Sequence, residues 1–177
     1  MLKVRPPETD GDEAITANIL AIVESFRCGT TRSEPCSNPV VGSVTRFEDL
    51  DAWKLSSELE SLVYMLCGQS TLRADSQLTS QIRRAAGSAP ALIAEGWGRF
   101  SPADFANFLR MAKGSLNETK NHLLSARRKG LITQQELDGA LKMFFRAVGA
   151  TAALGRYLRS PQARHSAETI RDRSSNQ

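Results

Sequence analysis

The 177-residue chain is poor in the features that membrane, secreted and metal-binding proteins need. None of its apolar runs approaches the roughly 18 to 20 residues of a membrane span. The polar, partly acidic start MLKVRPPETDGDEA predicts no secretory signal. The three cysteines are odd in number and no two have C-x-x-C spacing, which predicts neither a disulfide framework nor a zinc site. We therefore expect a cytoplasmic protein with no membrane association.

Residues that commonly carry catalysis are also scarce. The two histidines are His122 and His165, and His122 has no Cys, Asp or Glu three or four residues after it. The chain lacks the G-x-x-x-x-G-K spacing of a phosphate-binding loop, a nucleophile elbow and the Glu-x-x-His pairs of di-iron bundles. The sequence predicts that the protein is not an enzyme and uses no metal or cofactor.

Apolar residues recur at steps of three and four through most of residues 46–160, which is the spacing of amphipathic helices. This spacing predicts four long helices, each bounded by capping or stop residues. The predicted starts are Thr45 with Glu48, Asp75 or Ser76, Ser101 with Asp104, and Thr133 with Glu136. The predicted ends are Gly68, Gly96 with Gly98, Gly130 and the region of Leu158.

The helices are joined by short connections, and short connections favour antiparallel neighbours. No alternating strand pattern bounded by turns occurs. The predicted fold is therefore all-α, an antiparallel up-down-up-down four-helix bundle over residues 46–160. Residues 1–45 are predicted to form an N-terminal arm and linker with a short helix over residues 12–26, and residues 161–177 a flexible C-terminal tail.

Basic residues are concentrated in the predicted bundle. Residues 46–160 hold sixteen basic and eleven acidic residues, a net +5, in a chain whose formal net charge is +4. Lys113, Lys120 and Arg127 stand seven apart, so they share one stripe of the third predicted helix. Such a stripe could contact phosphates non-specifically, and a solvated helix face explains it equally well. The candidate nucleic-acid-binding residues are Arg83, Arg84, Lys113, Lys120, Arg127, Arg128, Lys129 and Arg146.

The second predicted helix contains the segment LTSQIRRAAGSAPALIAEGWGR, residues 78–99. Pro90 is expected to bend the helix because it lacks an amide hydrogen, and the small residues around it would let another helix approach closely. Glu95 lies roughly 16 Å along the axis from Arg84, too far for an ion pair within the helix. A neighbouring subunit could meet these residues, and a crowded bundle interior explains them as well. The candidate oligomer-interface residues are Pro90, Glu95, Trp97, Arg99 and Phe100.

Several of these segments together resemble a known family. It comprises small four-helix-bundle proteins encoded in intervening sequences of bacterial 23S rRNA genes, and it includes the accessory variability proteins of diversity-generating retroelements. The matching segments are FEDLDAWK, LTSQIRRAA, SAP, IAEGWGR, DFANFLRMAKGSLNE and KGLIT. The resemblance implies a ring-like homopentamer. It also implies binding of nucleic acid, RNA or DNA, and of a reverse transcriptase, without a catalytic centre.

Two functions are therefore expected. The first is a non-catalytic homo-oligomeric scaffold that binds nucleic acid as an accessory to a reverse transcriptase of a diversity-generating retroelement. The second is a protein-interaction module without nucleic-acid binding, in which the N-terminal arm recruits a partner.

Overall fold

Long amphipathic helices make up most of the computed structural model, which describes residues 46–99 and 101–161. A 3-10 turn over Phe47–Asp49 precedes five helices, and no strand occurs within these ranges. The helices are α1 (Asp51–Gly68), α2 (Ser70–Arg73), α3 (Ser76–Trp97), α4 (Pro102–Arg128) and α5 (Gln134–Leu158). The all-helical prediction is confirmed. The predicted arm over residues 1–45, including its helix over 12–26, lies outside the described residues, as do Phe100 and residues 162–177.

Three of the four predicted helix starts are confirmed, because side-chain oxygens occupy the expected capping positions. Asp75 accepts a hydrogen bond from the Leu78 amide at the start of α3, and Ser101 accepts one from the Asp104 amide at the start of α4. At α5 the capping box is complete: the Glu136 amide donates to Thr133 Oγ1, and the Thr133 amide donates to the Glu136 carboxylate. These caps determine the residue at which each helix begins after the preceding turn.

The predicted start of the first helix is wrong by several residues. The chain forms the 3-10 turn first and takes up an extended conformation at Leu50, so α1 begins at Asp51. The Glu48 carboxylate does not cap the helix; it accepts a hydrogen bond from Arg46 at 2.8 Å. The single-turn helix α2 was also not predicted, because four residues are too few to show a helical period.

The ends of the helices follow the prediction more closely. α1 ends at Gly68, and Gly130, just after α4, has a φ of +72°, the left-handed conformation that favours glycine at a helix end. The second long helix was predicted to end at Gly96 with Gly98. Gly98 is the residue that caps the end of α3, which confirms that part, whereas α3 continues through Gly96 to Trp97 and Gly96 is buried. α3 also continues through Pro90 as an uninterrupted helix.

The apolar lines of the helices meet in two clusters of buried side chains. One, at the turn between α4 and α5, includes Leu66, Ile82 and Leu123, and the other, near the turn between α3 and α4, includes Ile93 and Leu109. Each fully buried Leu or Ile side chain stabilises the fold by roughly 1.5–3 kcal/mol relative to an exposed one. The line predicted for the third long helix is buried throughout its length: Phe105, Leu109, Ala112, Leu116, Thr119, Leu123 and Ala126.

Contacts between α4 and α5 show how these two helices pass each other. A Cβ built on Gly155 would lie 3.9 Å from Leu109 Cβ. Eleven residues after Leu109, the Lys120 ammonium lies over the Phe144 ring, and Phe144 is eleven residues before Gly155. The two helices therefore run in opposite directions. α5 also packs against α1, and α3 packs against both α1 and α4.

Candidate nucleic-acid interface

Positive charge is segregated between the two halves of the fold. Residues 46–99, which form α1 to α3, carry six basic and seven acidic residues, a net −1. Residues 101–161, which form α4 and α5, carry ten basic and four acidic residues, a net +6. Residues 119–135 and 139–160 contain no Asp or Glu at all. The two adjacent helices α4 and α5 therefore form the basic half of the described chain.

Three of the predicted nucleic-acid-binding residues lie on the flank of α4 that faces α5. Lys113 is exposed, while Lys120 and Arg127 are half-buried. The Lys120 ammonium lies over two rings of α5, 5.1 Å from the Phe144 centroid and 5.0 Å from the Phe145 centroid. Arg127 Nε donates a hydrogen bond to Gln134 Oε1 at 3.3 Å. Of the three, Lys113 is the one whose side chain extends furthest into solvent.

The basic residues at the end of α4 are largely engaged within the chain. Lys129 Nζ donates to Asp75 Oδ2 at 2.7 Å and ties the end of α4 to the start of α3. The hydrogen bond from Lys129, helped by one from the Leu78 amide, holds the pKa of the Asp75 carboxyl below its ordinary value. Arg128 donates to Ser125 Oγ at 3.0 Å.

Arg83 and Arg84 lie away from this stripe, on α3. The Arg83 guanidinium lies 5.4 Å from the centroid of the Tyr64 ring of α1, and Nη2 donates to the Cys67 carbonyl at 3.4 Å. Burial raises the pKa of the adjacent Cys67 thiol. Arg84 is exposed on the surface of α3. Arg83 therefore joins α3 to α1 and is not part of a common surface with Lys113 and Lys120.

The last predicted basic residue, Arg146, is exposed on α5, with Nη1 3.6 Å from Met143 Sδ. The residue before it, Phe145, was not among the predicted site residues, and its neighbour Phe144 is buried on the apolar side of α5. Phe145 is 60 % exposed. The sequence does hold a signal for it, since Phe145 is an aromatic residue one position off the apolar line. Neighbouring helix positions point about 100° apart, so Phe145 and Phe144 cannot both face the core.

The predicted interface residues at the end of α3 are found in different environments. Pro90 is buried within the single chain, which leaves it little surface for a neighbouring subunit. Glu95 is exposed and accepts a hydrogen bond from Arg99 at 2.5 Å, so its partner lies one turn away in the same segment. Trp97 is half-buried and packs edge-to-face on Phe105, with ring centroids 6.2 Å apart.

A buried carboxylate lies beside a depression at the turn between α4 and α5. Glu136 is 5 % exposed and accepts hydrogen bonds from the amide and hydroxyl of Thr133, at 2.7 and 2.8 Å, and from Gln69 Nε2. The depression, of about 500 Å³, is lined by Gln69, Thr71, Arg127, Gly130, Leu131, Ile132, Thr133, Gln134 and Glu136. The Glu136 carboxylate therefore has three hydrogen-bond donors within the chain. The one from Gln69, the residue that follows α1, links the end of α1 to the start of α5.

The described residues hold neither a cluster of metal-ligating side chains nor a helix suited to span a membrane. No group of three or more His, Cys, Asp or Glu side chains within residues 46–99 and 101–161 is placed to hold a metal ion. His122 Nε2 lies 3.5 Å from Glu118 Oε1, one turn earlier in α4. None of the described helices combines the length and the apolar character needed to cross a membrane.

Comparison with known families confirms the assignment that the sequence motifs indicated. The family model described as 23S rRNA-intervening sequence protein matches residues 48–147, more than half of the chain. The match extends from the 3-10 turn into the middle of α5 and so includes α3, α4 and the turns that join them. A comparison with curated proteins finds no match. By this match, the chain belongs to the 23S rRNA-intervening sequence protein family.

Proposed function

We propose that the protein is a non-catalytic homo-oligomeric scaffold that binds nucleic acid and serves as an accessory to a reverse transcriptase of a diversity-generating retroelement. The observation that carries the proposal is the charge segregation, a net +6 on residues 101–161 against −1 on residues 46–99. We define the basic face as the side of α4 and α5 that holds Lys113, Lys120, Arg127, Lys142 and Arg156. A surface of this kind attracts phosphates electrostatically, without dependence on base sequence.

The assembly is part of the proposal. The subunit is an antiparallel up-down-up-down four-helix bundle, and five subunits form a closed ring. The proposed subunit contact is the end of α3, where Trp97 is only half-buried and Glu95 and Arg99 are exposed. A ring presents five copies of the basic face, so a weak patch on each subunit gives much tighter overall binding. Light scattering should give about five times the 19.4 kDa chain mass, and a monomer at micromolar concentration would contradict the ring.

Two charge-reversal pairs test whether the basic face is the binding surface. The first pair is Lys113→Glu with Lys142→Glu, both exposed and both on the basic face. The matched control is Lys54→Glu with Arg73→Glu, which are exposed on α1 and α2 and change the net charge by the same amount. Both pairs are measured by fluorescence anisotropy with a labelled oligonucleotide, at several salt concentrations.

The first pair should lose most of its affinity at low salt and show a shallower dependence of log K on log salt, because phosphate contacts release counterions. The control pair should keep most of its affinity. Equal losses in both pairs would mean that net charge alone sets binding, and unchanged binding in the first pair would reject the basic face. A reverse-transcriptase gene with a template repeat beside this gene would support the accessory role.

A further inference from the structure

The inference starts from an aromatic ring that is both exposed and held in place. Phe145 is 60 % exposed, yet its ring packs edge-to-face against Phe144 with centroids 5.2 Å apart. The Lys120 ammonium of α4 lies 5.0 Å from the Phe145 centroid. Since Lys120 covers one face of the ring, its exposed surface lies mainly on the opposite face and the outer edge. Phe145 therefore presents a fixed, open aromatic face to solvent.

The surroundings of this ring are open and positively charged. Lys142, one turn before Phe145, and Arg156, eleven residues after it, are exposed on the same side of α5. A Cβ added to Gly149, one turn after Phe145, would meet nothing within 4 Å. No acidic residue occurs in residues 139–160 of this helix. A ligand seated on the ring would therefore meet Lys120 and Lys142 beside it and no carboxylate from this stretch of α5.

The position of Phe145 also argues against a purely apolar partner. Among the described residues, the other large exposed hydrophobic side chains are Tyr64 at 46 % and Met111 at 54 %. Tyr64 lies beside Arg83 on the α1 side of α3, and Met111 does not share the α4 flank of Lys113 and Lys120. Phe145 is thus a single aromatic ring among cations, whereas protein interfaces centre on contiguous apolar groups.

We propose that Phe145, held by Lys120 and Phe144, is a stacking platform for an unpaired base, which makes the basic face selective for single-stranded nucleic acid. The inference rests on the nucleic-acid role proposed above. Every base offers a π face, so stacking on an aromatic side chain tolerates any sequence. The cations beside the ring neutralise the flanking phosphates, and a ring already fixed on two sides loses little freedom when a base stacks on it.

The test separates base stacking from charge. Anisotropy is measured with an oligothymidylate and with an abasic strand of the same length, which has the same phosphates but no bases. The variants are Phe145→Ala, Phe145→Trp as the conservative replacement, and Tyr64→Ala as a matched exposed aromatic in the other half of the fold. Circular dichroism and light scattering on each variant establish that fold and assembly are retained.

Phe145→Ala should weaken oligothymidylate binding by at least about fivefold, the lower end expected for loss of one stacked base, and should leave abasic-strand binding unchanged. Phe145→Trp should retain the wild-type preference, and Tyr64→Ala should bind both strands as wild type does. Equal effects of Phe145→Ala on both strands would overturn the stacking platform alone. Dissociation of the oligomer by Phe145→Ala would also overturn it, by making Phe145 a subunit contact. Failure of the wild type to bind either strand at low salt would overturn the nucleic-acid role as well.

Discussion

Replacing Gly96 by alanine should destabilise the protein, although alanine is the better helix former. Gly96 lies inside α3 at its contact with α4, and an added Cβ would come 2.6 Å from both Phe105 Cδ2 and Phe108 Cβ. Carbon atoms pack best at about 3.5–4.0 Å, so something must move. The Phe108 Cβ moves only with the backbone of α4. The destabilisation caused by this overpacking is therefore expected near the upper end of the usual range of about 1–3 kcal/mol.

Alanine recovers part of this loss, since it is favoured over glycine in a helix by about 1 kcal/mol. The net change expected for Gly96→Ala is therefore a loss of about 1–2 kcal/mol in the free energy of unfolding. Gly114→Ala is the matched control, because Gly114 lies within α4 and an added Cβ there meets nothing within 4 Å. That variant should gain about 0.5–1 kcal/mol.

Urea unfolding followed by far-ultraviolet circular dichroism, at one fixed protomer concentration, measures both changes. The two variants should shift in opposite directions from wild type and differ from each other by about 1.5–3 kcal/mol. If Gly96→Ala is as stable as Gly114→Ala, α3 and α4 do not approach as closely as the structure shows, and the explanation of Gly96 is wrong.

Two further predictions concern caps and a surface ion pair. Thr133→Ala removes the capping-box hydroxyl that bonds the Glu136 amide and carboxylate and should lower the free energy of unfolding by about 1 kcal/mol. Ser101→Ala, whose bond to the Asp104 amide is longer at 3.4 Å, should lower it less in the same urea titration, and the reverse order would contradict this. The hydrogen bond that Lys129 donates to Asp75 lowers the pKa of the Asp75 carboxyl in the folded state. The pair therefore stabilises the protein at pH values above the unfolded pKa of about 4. This stabilisation is lost as the pH falls through the lower, folded-state pKa. The difference in Tm between wild type and Asp75→Asn should therefore shrink on acidification below about pH 4, and a difference that stays constant from neutral to acidic pH would exclude the ion pair as its cause.

The helices were predictable because their determinants are local. Capping side chains at Asp75, Ser101 and Thr133 act over three residues, and the apolar line of α4 repeats along one continuous segment. The start of α1 was not predictable in the same way, since the glutamate of a favourable Thr-x-x-Glu pattern lies inside a 3-10 turn. Gly96 shows the same limit: a glycine near a helix end is typical of a stop, and only the position of α4 reveals that it permits close contact.

The candidate site was predictable only in part, for a different reason. Its charge could be counted, and the stripe of Lys113, Lys120 and Arg127 follows from a spacing of seven. Which basic side chains are engaged within the chain depends on neighbouring helices, as with Lys129 on Asp75 and Arg83 on Tyr64. The exposure of Phe145 likewise follows from how α4 and α5 pack, because periodicity places it at the edge of the apolar line without saying whether another helix covers it.

The separation of charge between the two halves of the described chain has a consequence for encounter rates. A body with one positive and one nearly neutral side has a dipole moment, and the field of a polyanion exerts a torque on it before any atoms touch. An approaching molecule of the protein would be rotated so that α4 and α5 lead, which shortens the search for a productive orientation. That benefit disappears once the Debye length, about 8 Å at physiological ionic strength, becomes shorter than the separation over which rotation must occur.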